Sequence, residues 1–264
     1  MHAIVCIKQV PESPSVGIDP KTNTLIRQGI PSIINPFDLY AIEEALLLKD
    51  KSGGKVTVVT MGPPQAVDAL KEALAMGCDE AIFLCDKGFA GSDTWATSYA
   101  LAKAIQSKAA DYDVIFCGKQ AIDGDTAQVG PGVARRLGIP QLTYVCKVRE
   151  VDLEAKKIVV ERLLEAGKEV VESRLPALVT VVKDINKPRF RTLIGIRKAS
   201  QAQIPMLKPS DIGCEEEHTG LAGSPTEVVK IFTPEPRKGG QVIEGEPEEA
   251  CETLVQKLMD AKIL

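Results

Sequence analysis

The chain has 264 residues, of which 44% are apolar, and this length and composition are typical of a soluble globular protein with a sizeable core. A formal net charge of -4 and an aromatic content of 4% argue against nucleic-acid binding, which depends on clustered basic residues and stacking rings. No apolar run reaches the ~18 residues of a membrane span, and no signal-peptide pattern is seen. The seven cysteines include no Cys-x-x-Cys pair, which argues against a metal site, and their scattered use is typical of a protein of the reducing cytoplasm.

The first half of the chain alternates strand-like and helix-like patterns. Strands are predicted at residues 3–10, 55–62, 80–85 and 113–117, and helices at residues 36–49, 64–76, 94–107 and ending near 137. Leu39, Ile42 and Leu46 recur at the spacing of one helix face, while the strands are apolar on both faces, as in a parallel sheet covered by helices. This pattern predicts an α/β fold with a doubly wound, mostly parallel sheet.

An insertion separates the first predicted strand from the first long helix. Residues 16–27 have the pattern of a short hairpin that turns at residues 19–23. Such an excursion either serves a binding site or is a surface hairpin without a function, and the pattern leaves both interpretations open.

After residue 140 the pattern changes to consecutive strands. Strands are predicted at residues 141–151, 157–164 and 168–171, which would form a β-meander, and at residues 177–182; a closing helix is predicted at residues 247–261. The chain is polar and basic from residue 185 and rich in proline and glycine between 220 and 247. We therefore predict an α/β domain at residues 1–220 and an extended C-terminal arm at 221–264 that lies against another surface.

A small polar segment, residues 118–134, joins a predicted buried strand to a helix. In open α/β sheets, ligands lie at the carboxyl ends of the strands, where backbone N–H groups and the helix dipole attract phosphate. Three glycines, Gly124, Gly130 and Gly132, would let the backbone approach a ligand closely, and the side chains of Thr126 and Gln128 offer hydrogen bonds. A capped turn with no ligand explains this composition equally well.

The start of the first long helix is a second part of the candidate site. Asn35, Pro36 and Asp38 form a helix-start signature, with an N-cap residue, a proline at the first helical position and a carboxylate at the third. Capping alone would account for them, but their place beside the first strand keeps a ligand contact open. Asp123 and Asp125 argue against a simple phosphate site, unless they cap helix N–H groups or accept hydrogen bonds from ribose or protein donors.

No catalytic group of residues is recognisable. His2 lies at the N-terminus and His218 in an acidic loop, and neither has an obvious nucleophile or carboxylate partner. A nucleotide site without an acid, a base or a nucleophile indicates binding or cofactor chemistry rather than catalysis by side chains.

Six motifs, in order along the whole chain, resemble those of the beta (small) subunit of electron-transfer flavoproteins. They are Val-Cys-Ile-Lys-Gln-Val-Pro at residues 5–11, Asn-Pro-Phe-Asp at 35–38, Met-Gly-Pro-Pro-Gln at 61–65, Ala-Leu-Ala-Met-Gly-Cys at 73–78, Gly-Lys-Gln-Ala-Ile-Asp at 118–123 and Leu-Pro-Ala-Leu-Val-Thr at 175–180. The resemblance implies a fold similar to that of the adenine-nucleotide alpha-hydrolases, and a heterodimer with a larger alpha subunit that holds one FAD. The C-terminal arm and helix at residues 221–264 would then pack on the alpha subunit.

The resemblance also implies a nucleotide in the beta subunit, with contacts that can be carried over position by position. They fall at Cys6, Asn35, Pro36, Phe37, Asp38 and Met61, and along the polar segment at Ala121, Ile122, Asp123, Gly124, Asp125, Thr126, Ala127, Gln128, Val129, Gly130, Pro131 and Gly132. In respiratory members this nucleotide is AMP with a structural role. In electron-bifurcating members it is a second FAD, beside which NADH docks.

The hairpin sequence favours FAD over AMP. Residues 18–29 read Ile-Asp-Pro-Lys-Thr-Asn-Thr-Leu-Ile-Arg-Gln-Gly, which resembles the bifurcating members closely. One departure is Asn23, where that pattern usually has glycine; both residues tolerate a positive φ. In bifurcating members NADH passes a hydride to this FAD, whose electrons then divide between ferredoxin or flavodoxin and the alpha-subunit flavin. Arg27 and Glu12 are candidates for residues near the NAD, although Arg27 could equally form a salt bridge between hairpin and helix.

Residues 189–198, here termed the recognition loop, resemble the family segment that contacts a partner flavin dehydrogenase such as acyl-CoA dehydrogenase. Leu193 would insert into a pocket of that partner, within a basic frame of Arg189, Arg191 and Arg197. An amphipathic connector is the alternative. Two other functions are possible for the whole chain: an AMP-type, non-bifurcating electron carrier and a stand-alone nucleotide-binding domain. The meander, the recognition loop and the C-terminal arm argue against the stand-alone domain.

Overall fold

A computed structural model describes residues 1–12, 18–19, 24–25, 31–230 and 239–264. The strands are β1 (His2–Cys6), β2 (Gln9–Pro11), β3 (Ile18–Asp19), β4 (Thr24–Leu25), β5 (Ser32–Ile34), β6 (Lys55–Met61), β7 (Glu80–Leu84), β8 (Val114–Gly118), β9 (Gln141–Asp152), β10 (Lys157–Leu164), β11 (Gly167–Arg174), β12 (Ala177–Val181) and β13 (Met206–Leu207). The helices are α1 (Pro36–Ser52), α2 (Val67–Met76), α3 (Thr94–Lys108), α4 (Val129–Leu137), α5 (Leu193–Gln201) and α6 (Pro247–Asp260).

A nine-stranded sheet, in the order β11-β10-β9-β12-β8-β1-β6-β7-β13, forms the centre of the fold. From β9 across the sheet to β13, every pair of neighbouring strands is parallel. At the other edge, β10 is antiparallel to both of its neighbours, β9 and β11. The chain winds from β1 outward to β6 and β7, then returns to place β8 on the other side of β1. The predicted α/β fold with a doubly wound, mostly parallel sheet is confirmed.

Helices cover both faces of the sheet and bury two separate cores. On one face, Ile42 and Leu46 of α1 pack with Val5 of β1. On the other, Ile105 of α3 and Val133 of α4 belong to the core that includes Ile4, the neighbour of Val5 in the same strand. Successive side chains of a strand point to opposite faces, so the strands between the helix layers are apolar throughout.

The β-meander and the hairpin are also present. β9, β10 and β11 are consecutive antiparallel strands, and β11 is longer than the predicted strand at residues 168–171. β3 and β4 are antiparallel, with residues 18 and 19 opposite residues 25 and 24; the turn between them, residues 20–23, lies outside the described residues.

Three sequence predictions were wrong or incomplete. The strand predicted at residues 3–10 is two strands, because the chain leaves the sheet after Ile7 and β2 pairs instead with β5. The basic segment after residue 185, predicted to lack periodic structure, contains α5, which packs on α2. β13 was missed, since two residues are too short for a periodic signal, and it extends the sheet beside β7.

The chain divides into two compact units, Met1–Val229 and Lys230–Leu264. The second unit contains α6, close to the helix predicted at residues 247–261, and a hydrogen bond between the side chains of Lys257 and Gln241. Residues 231–238, part of the segment predicted to lie against another surface, are outside the described residues. Within the described part of the chain, no helix combines the length and the apolar character needed to cross a membrane.

Candidate functional site

The candidate site lies where the winding direction of the sheet reverses, between β1 and β8. These strands are parallel neighbours, with Cys6 opposite Cys117 in the last pair. The connection after β1 leads through α1 to β6, whereas β8 is followed by α4 on the opposite face of the sheet. Because the two connections leave in opposite directions, a crevice opens at the carboxyl ends of these strands, which is where open α/β sheets bind ligands.

Asp38 bridges the two strand ends at this crevice. Its side chain is buried, with 5% of the residue exposed. The Oδ2 atom accepts a hydrogen bond from the Lys8 N–H at 2.7 Å, and the Oδ1 atom accepts one from the Gly118 N–H at 3.2 Å. Burial raises the pKa of Asp38 from 3.8 to about 7, although these N–H groups oppose that shift by favouring the charged form.

Gly118 is a place where only glycine fits. A Cβ atom added there would overlap Asp38 Oδ1 and would lie 2.7 Å from the Phe37 Cβ. The helix start therefore packs directly against the backbone at the end of β8. The close approach is what brings the Asp38 carboxyl within reach of both strands.

Asn35 fastens the segment after β8 to the helix start. It occupies the N-cap position of α1, as predicted, but its side chain makes no capping hydrogen bond to the helix. Instead, Asn35 Nδ2 donates to the Gln120 carbonyl at 2.8 Å, and Oδ1 accepts from the Ile122 N–H at 3.2 Å. Its own N–H donates to the carbonyl of Lys8 at 2.8 Å. The interpretation of Asn35 as a cap alone is wrong.

The two carboxylates of the polar segment have partners within the chain. Asp123 forms an ion pair with Lys8, whose Nζ lies 2.7 Å from both carboxylate oxygens. Asp125 accepts a hydrogen bond from the side-chain amide of Gln120. The negative charge of Asp123 is therefore offset by a lysine at the end of β1, which reduces its repulsion of a nearby anion. Lys8 was not predicted as a site residue, although its place directly after β1 could have indicated it.

A run of free backbone donors leads into the first turn of α4. In the described part of the chain, no protein acceptor receives a hydrogen bond from the N–H groups of Thr126, Ala127, Gln128, Val129 or Gly130. The first N–H groups of a helix have no partner inside the helix, and the helix dipole adds partial positive charge at the same end. Together these groups form a cradle suited to an anion such as a phosphate.

Side chains of α3 support this cradle. Thr94 Oγ1 lies 2.9 Å from Gln128 Oε1 and donates to it, while the side chain of Asp93 caps α3 through the N–H groups of Trp95 and Ala96. Gly130 and Gly132 pack against the chain itself: a Cβ atom would lie 2.7 Å from Thr180 Cγ2 and from Ser98 Oγ, respectively. The two glycines therefore let α4 lie close to β12 and α3. Their contact with a cofactor stays a prediction.

The other predicted nucleotide-site residues occupy places around the same crevice or beside it. Cys6 is buried at the end of β1, Met61 ends β6, and residues 121–132 extend from the crevice into α4. Glu12 is exposed, and its N–H donates to the carbonyl of Pro31 at 2.9 Å. Arg27 lies outside the described residues, so its predicted place near NAD is not addressed by the structure.

A cleft of about 510 Å³ lies beside the cradle. Ala127 and Pro131 line it on the loop side, and Tyr144 and Arg162 line it on the side of β9 and β10. Lys119, which also lines this cleft, places its ammonium group 5.2 Å from the ring centre of Tyr144 and 5.9 Å from that of Phe37. The sequence did not single out Lys119 or Tyr144, because their proximity depends on the pairing of β9 with β12.

Both histidines have carboxylate partners, contrary to the sequence-based expectation. His2 Nδ1 lies 2.9 Å from Asp111 Oδ1, and its Nε2 lies 2.8 Å from Thr57 Oγ1. His2 begins β1, so this cluster lies at the amino ends of the strands, away from the crevice. His218 Nε2 lies 3.2 Å from Glu215 Oε2 in an exposed turn. The partner of His2 comes from a loop that the topology brings beside β1, whereas Glu215 is only three residues before His218 and could have been recognised from the sequence.

The recognition loop contacts α1 and α2. Arg189 pairs with Glu43 and Asp50 on α1, so it is turned toward its own chain. Leu193, by contrast, is 86% exposed, and Phe190 is 90% exposed. The other two predicted recognition residues are exposed: Arg191 has Glu72 at 3.6 Å, and Arg197 lies on α5.

The sequence pattern of the electron transfer flavoprotein domain matches residues 22–212. The chain belongs to the electron-transfer flavoprotein family. Its relatives include the electron transfer flavoprotein subunit beta of Thermoanaerobacterium thermosaccharolyticum, 49% identical over 265 residues with 100% of both chains covered, and that of Clostridium acetobutylicum, 51% identical over 260 residues with 98% of both covered. The caffeyl-CoA reductase-Etf complex subunit CarD of Acetobacterium woodii is 48% identical over 266 residues, with 100% of both covered.

These comparisons confirm the predicted membership of the beta-subunit family of electron-transfer flavoproteins. Proteins of this family are flavoproteins that carry electrons, and the name of the beta subunit implies a heterodimer with an alpha subunit. The fold is consistent with that of the electron-transfer flavoprotein domain.

The substitution Gly118→Ala should destabilise the chain by about 1–3 kcal/mol, because the added methyl group overlaps Asp38 Oδ1 and the backbone of the helix start. Chemical denaturation gives the difference in unfolding free energy. Gly124→Ala is the matched control, since a Cβ atom there meets no protein atom within 4 Å. Equal losses in the two variants would contradict the close packing of Gly118.

The buried carboxyl of Asp38 should make stability depend on pH. The folded chain holds this proton up to about pH 7, whereas the unfolded chain loses it near 3.8. Its contribution to stability is therefore full below the unfolded value and is lost as the pH rises through the folded one. From about pH 5 to about pH 8 the unfolding free energy should fall by roughly 2 kcal/mol more in the native chain than in Asp38→Asn. Parallel pH profiles for the two proteins would refute this assignment.

Proposed function

We propose that the chain is the beta subunit of an electron-bifurcating electron-transfer flavoprotein. In this function it binds FAD, takes a hydride from NADH, and passes electrons to ferredoxin or flavodoxin and, through the FAD of the alpha subunit, to a partner flavin dehydrogenase such as an acyl-CoA dehydrogenase. The observation that carries the proposal is the run of free N–H donors at residues 126–130, set beside the crevice between β1 and β8. We place the protein in the cytoplasm.

The residues present fit a flavin nucleotide. The N–H groups of residues 126–130 would hold the pyrophosphate, and the exposed hydroxyl of Thr126 would add a donor. The backbone at Cys6, residues 35–38 and Met61 would surround the rest of the nucleotide. Lys8 offsets the charge of Asp123 close to these anionic groups.

A bound flavin supplies hydride acceptance and single-electron transfer, while the protein supplies position and electrostatics. Here Asp38 and Asn35 would set the spacing between the strand ends that the nucleotide contacts. Arg27 and Glu12 are proposed to lie near the NAD. No side chain of this crevice is needed as a nucleophile for such a role.

The hairpin sequence at residues 18–29 favours FAD over AMP. It resembles bifurcating members closely, and β3 and β4 pair as expected for a hairpin. The similarity to a subunit of a caffeyl-CoA reductase-Etf complex is in keeping with a chain that works within a larger redox assembly. A non-bifurcating beta subunit with structural AMP is the alternative function, because AMP shares the phosphate and ribose that the crevice would bind.

The purified heterodimer should contain two FAD per heterodimer, both bleached by NADH in the visible spectrum. Extraction and chromatography of the released nucleotides measure the cofactor content directly. One FAD together with AMP would support the alternative and overturn the FAD assignment.

The substitution Gln128→Glu should test whether the second flavin lies at the cradle. A carboxylate at this position would repel the pyrophosphate while its oxygen could still accept from Thr94, so flavin content should fall from two to about one per heterodimer. Gln106→Glu, the same change at an exposed position of α3, is the control and should retain both. Equal flavin content in the two variants would place the cofactor elsewhere.

We also propose that the recognition loop docks on the partner dehydrogenase. Leu193, Phe190 and Ile194 are all exposed apolar side chains, and Arg191 and Arg197 supply a basic frame. An apolar anchor surrounded by charged residues is the usual form of an interface whose affinity depends on few side chains.

The substitution Leu193→Ala should raise the KM for the partner dehydrogenase about fivefold or more, because an anchor residue typically contributes more than ~1 kcal/mol to binding. Flavin content should not change, since Leu193 is exposed on α5, which packs on α2. Steady-state electron transfer with the dehydrogenase measures the effect. Val170→Ala, which shortens a half-exposed apolar side chain on β11, serves as control, and similar kinetics in both variants would contradict the docking role.

A further inference from the structure

The recognition loop is fastened to the α/β domain at two points. The first is Arg189, at the beginning of the loop, which binds α1. The second is formed by Thr192 and Gly195, which contact the carbonyl of Ala75 at the end of α2. The exposed side chains of Phe190, Leu193 and Ile194 lie between or beside these two points.

Arg189 forms a bidentate ion pair with Glu43. Arg189 Nε lies 2.9 Å from Glu43 Oε2, and Arg189 Nη2 lies 3.0 Å from Glu43 Oε1. The backbone N–H of Arg189 also donates to Glu43 Oε2 at 3.0 Å, so the carboxylate holds both the side chain and the main chain. Asp50, two turns further along α1, accepts a second bond from Arg189 Nη2 at 2.8 Å. A planar guanidinium matched to a carboxylate in this way has a single favoured orientation.

Glu43 is the buried member of this cluster. Its side chain is only 5% exposed, whereas that of Arg189 is 31% exposed. A carboxylate so enclosed depends on its partner, because burying it unpaired is costly. Glu43 therefore fixes the place of Arg189, and it has too little exposed surface to bind a docking protein directly.

A neighbouring contact extends the attachment along α1. Asn186 Nδ2 donates to the carbonyl of Tyr40 at 2.9 Å and to Glu44 Oε1 at 3.1 Å. The chain that enters the recognition loop is thus held against α1 from residue 186 to residue 189.

The second point of attachment is a close backbone contact. The Thr192 N–H donates to the Ala75 carbonyl at 3.4 Å, and Thr192 Oγ1 accepts from the Gly195 N–H at 2.9 Å, which caps α5. A Cβ atom at Gly195 would overlap the Ala75 carbonyl oxygen, so glycine allows α5 to lie on the end of α2. Leu193, the first residue of α5, is held outward by this arrangement.

We propose that Arg189 is a positioning residue for docking, held by Glu43, and not a contact of the partner dehydrogenase. The inference rests on the docking role proposed above for Leu193. A docking segment that is already ordered loses less conformational entropy when a partner binds. By fixing one end of the loop, the Glu43–Arg189 pair keeps the apolar side chains presented outward before the partner arrives.

The test compares three single variants of the complete heterodimer in steady-state electron transfer with the partner dehydrogenase. Arg189→Lys keeps the charge but loses the planar fork, and Glu43→Gln loosens the same pair from the buried side. Both should raise the KM about two- to tenfold, the effect of re-ordering one or two side chains, with kcat and flavin content unchanged. Arg174→Lys, the same exchange at an exposed arginine of β11 outside the recognition loop, is the matched control for loss of an arginine and should leave the KM unchanged.

A double-mutant cycle with Leu193→Ala separates positioning from general destabilisation. If Arg189 acts by presenting the anchor, Arg189→Lys should change the KM little further once Leu193 is shortened. A full additional effect in that background would overturn the proposal, as would unchanged KM values for Arg189→Lys and Glu43→Gln while Leu193→Ala is impaired. A Leu193→Ala variant with normal kinetics would instead overturn the docking role itself, and the positioning role with it.

Discussion

One buried carboxyl group, that of Asp38, joins the two strand ends between which the candidate cofactor site lies. At the reversal of a doubly wound sheet the connections diverge, so the backbone N–H groups of Lys8, just after β1, and of Gly118, at the end of β8, have a side-chain acceptor in place of a neighbouring strand. The carboxyl of Asp38 accepts from both of them. The side chain of Asn35 likewise holds the segment after β8, since it donates a hydrogen bond to the Gln120 carbonyl and accepts one from the Ile122 N–H. Contacts within the chain thus define the shape of the crevice.

The helix that carries Asp38 also holds the recognition loop. α1 begins at the crevice, and Glu43 lies five residues after Asp38, about 7 to 8 Å along the axis at 1.5 Å per residue. Because a packed helix moves as a rigid body, the strand ends and the attachment of Arg189 share one support. A protein that binds a redox nucleotide and docks on a partner benefits from such a support, since electron transfer requires a defined geometry between the two.

The misses in the sequence-based interpretation have a common physical cause. Apolar residues continue past Cys6, so the local sequence predicts one long strand. In the structure, however, the Lys8 N–H donates a hydrogen bond to Asp38, and the chain turns away from the sheet. α5 is short and contains a glycine, and it packs on α2, where Gly195 is required. The pairing of Arg189 with Glu43, 146 residues earlier in the chain, has no signature in the local sequence. In each case a contact between distant residues outweighs the local preference.

The sequence by itself determined the alternation of strands and helices, the start of α1 at Pro36, the meander and the family, because periodicity, end signals and motifs are local properties of the chain. It also identified the polar segment after β8 as the candidate site. Only the tertiary structure decided that Asn35 and Asp38 reach residues 80 or more positions away, that Lys8 offsets Asp123, and that Arg189 faces its own chain. These arrangements follow from which strand ends meet at the reversal of the sheet and which side chains are buried there. That information lies in long-range packing and is not contained in any local pattern.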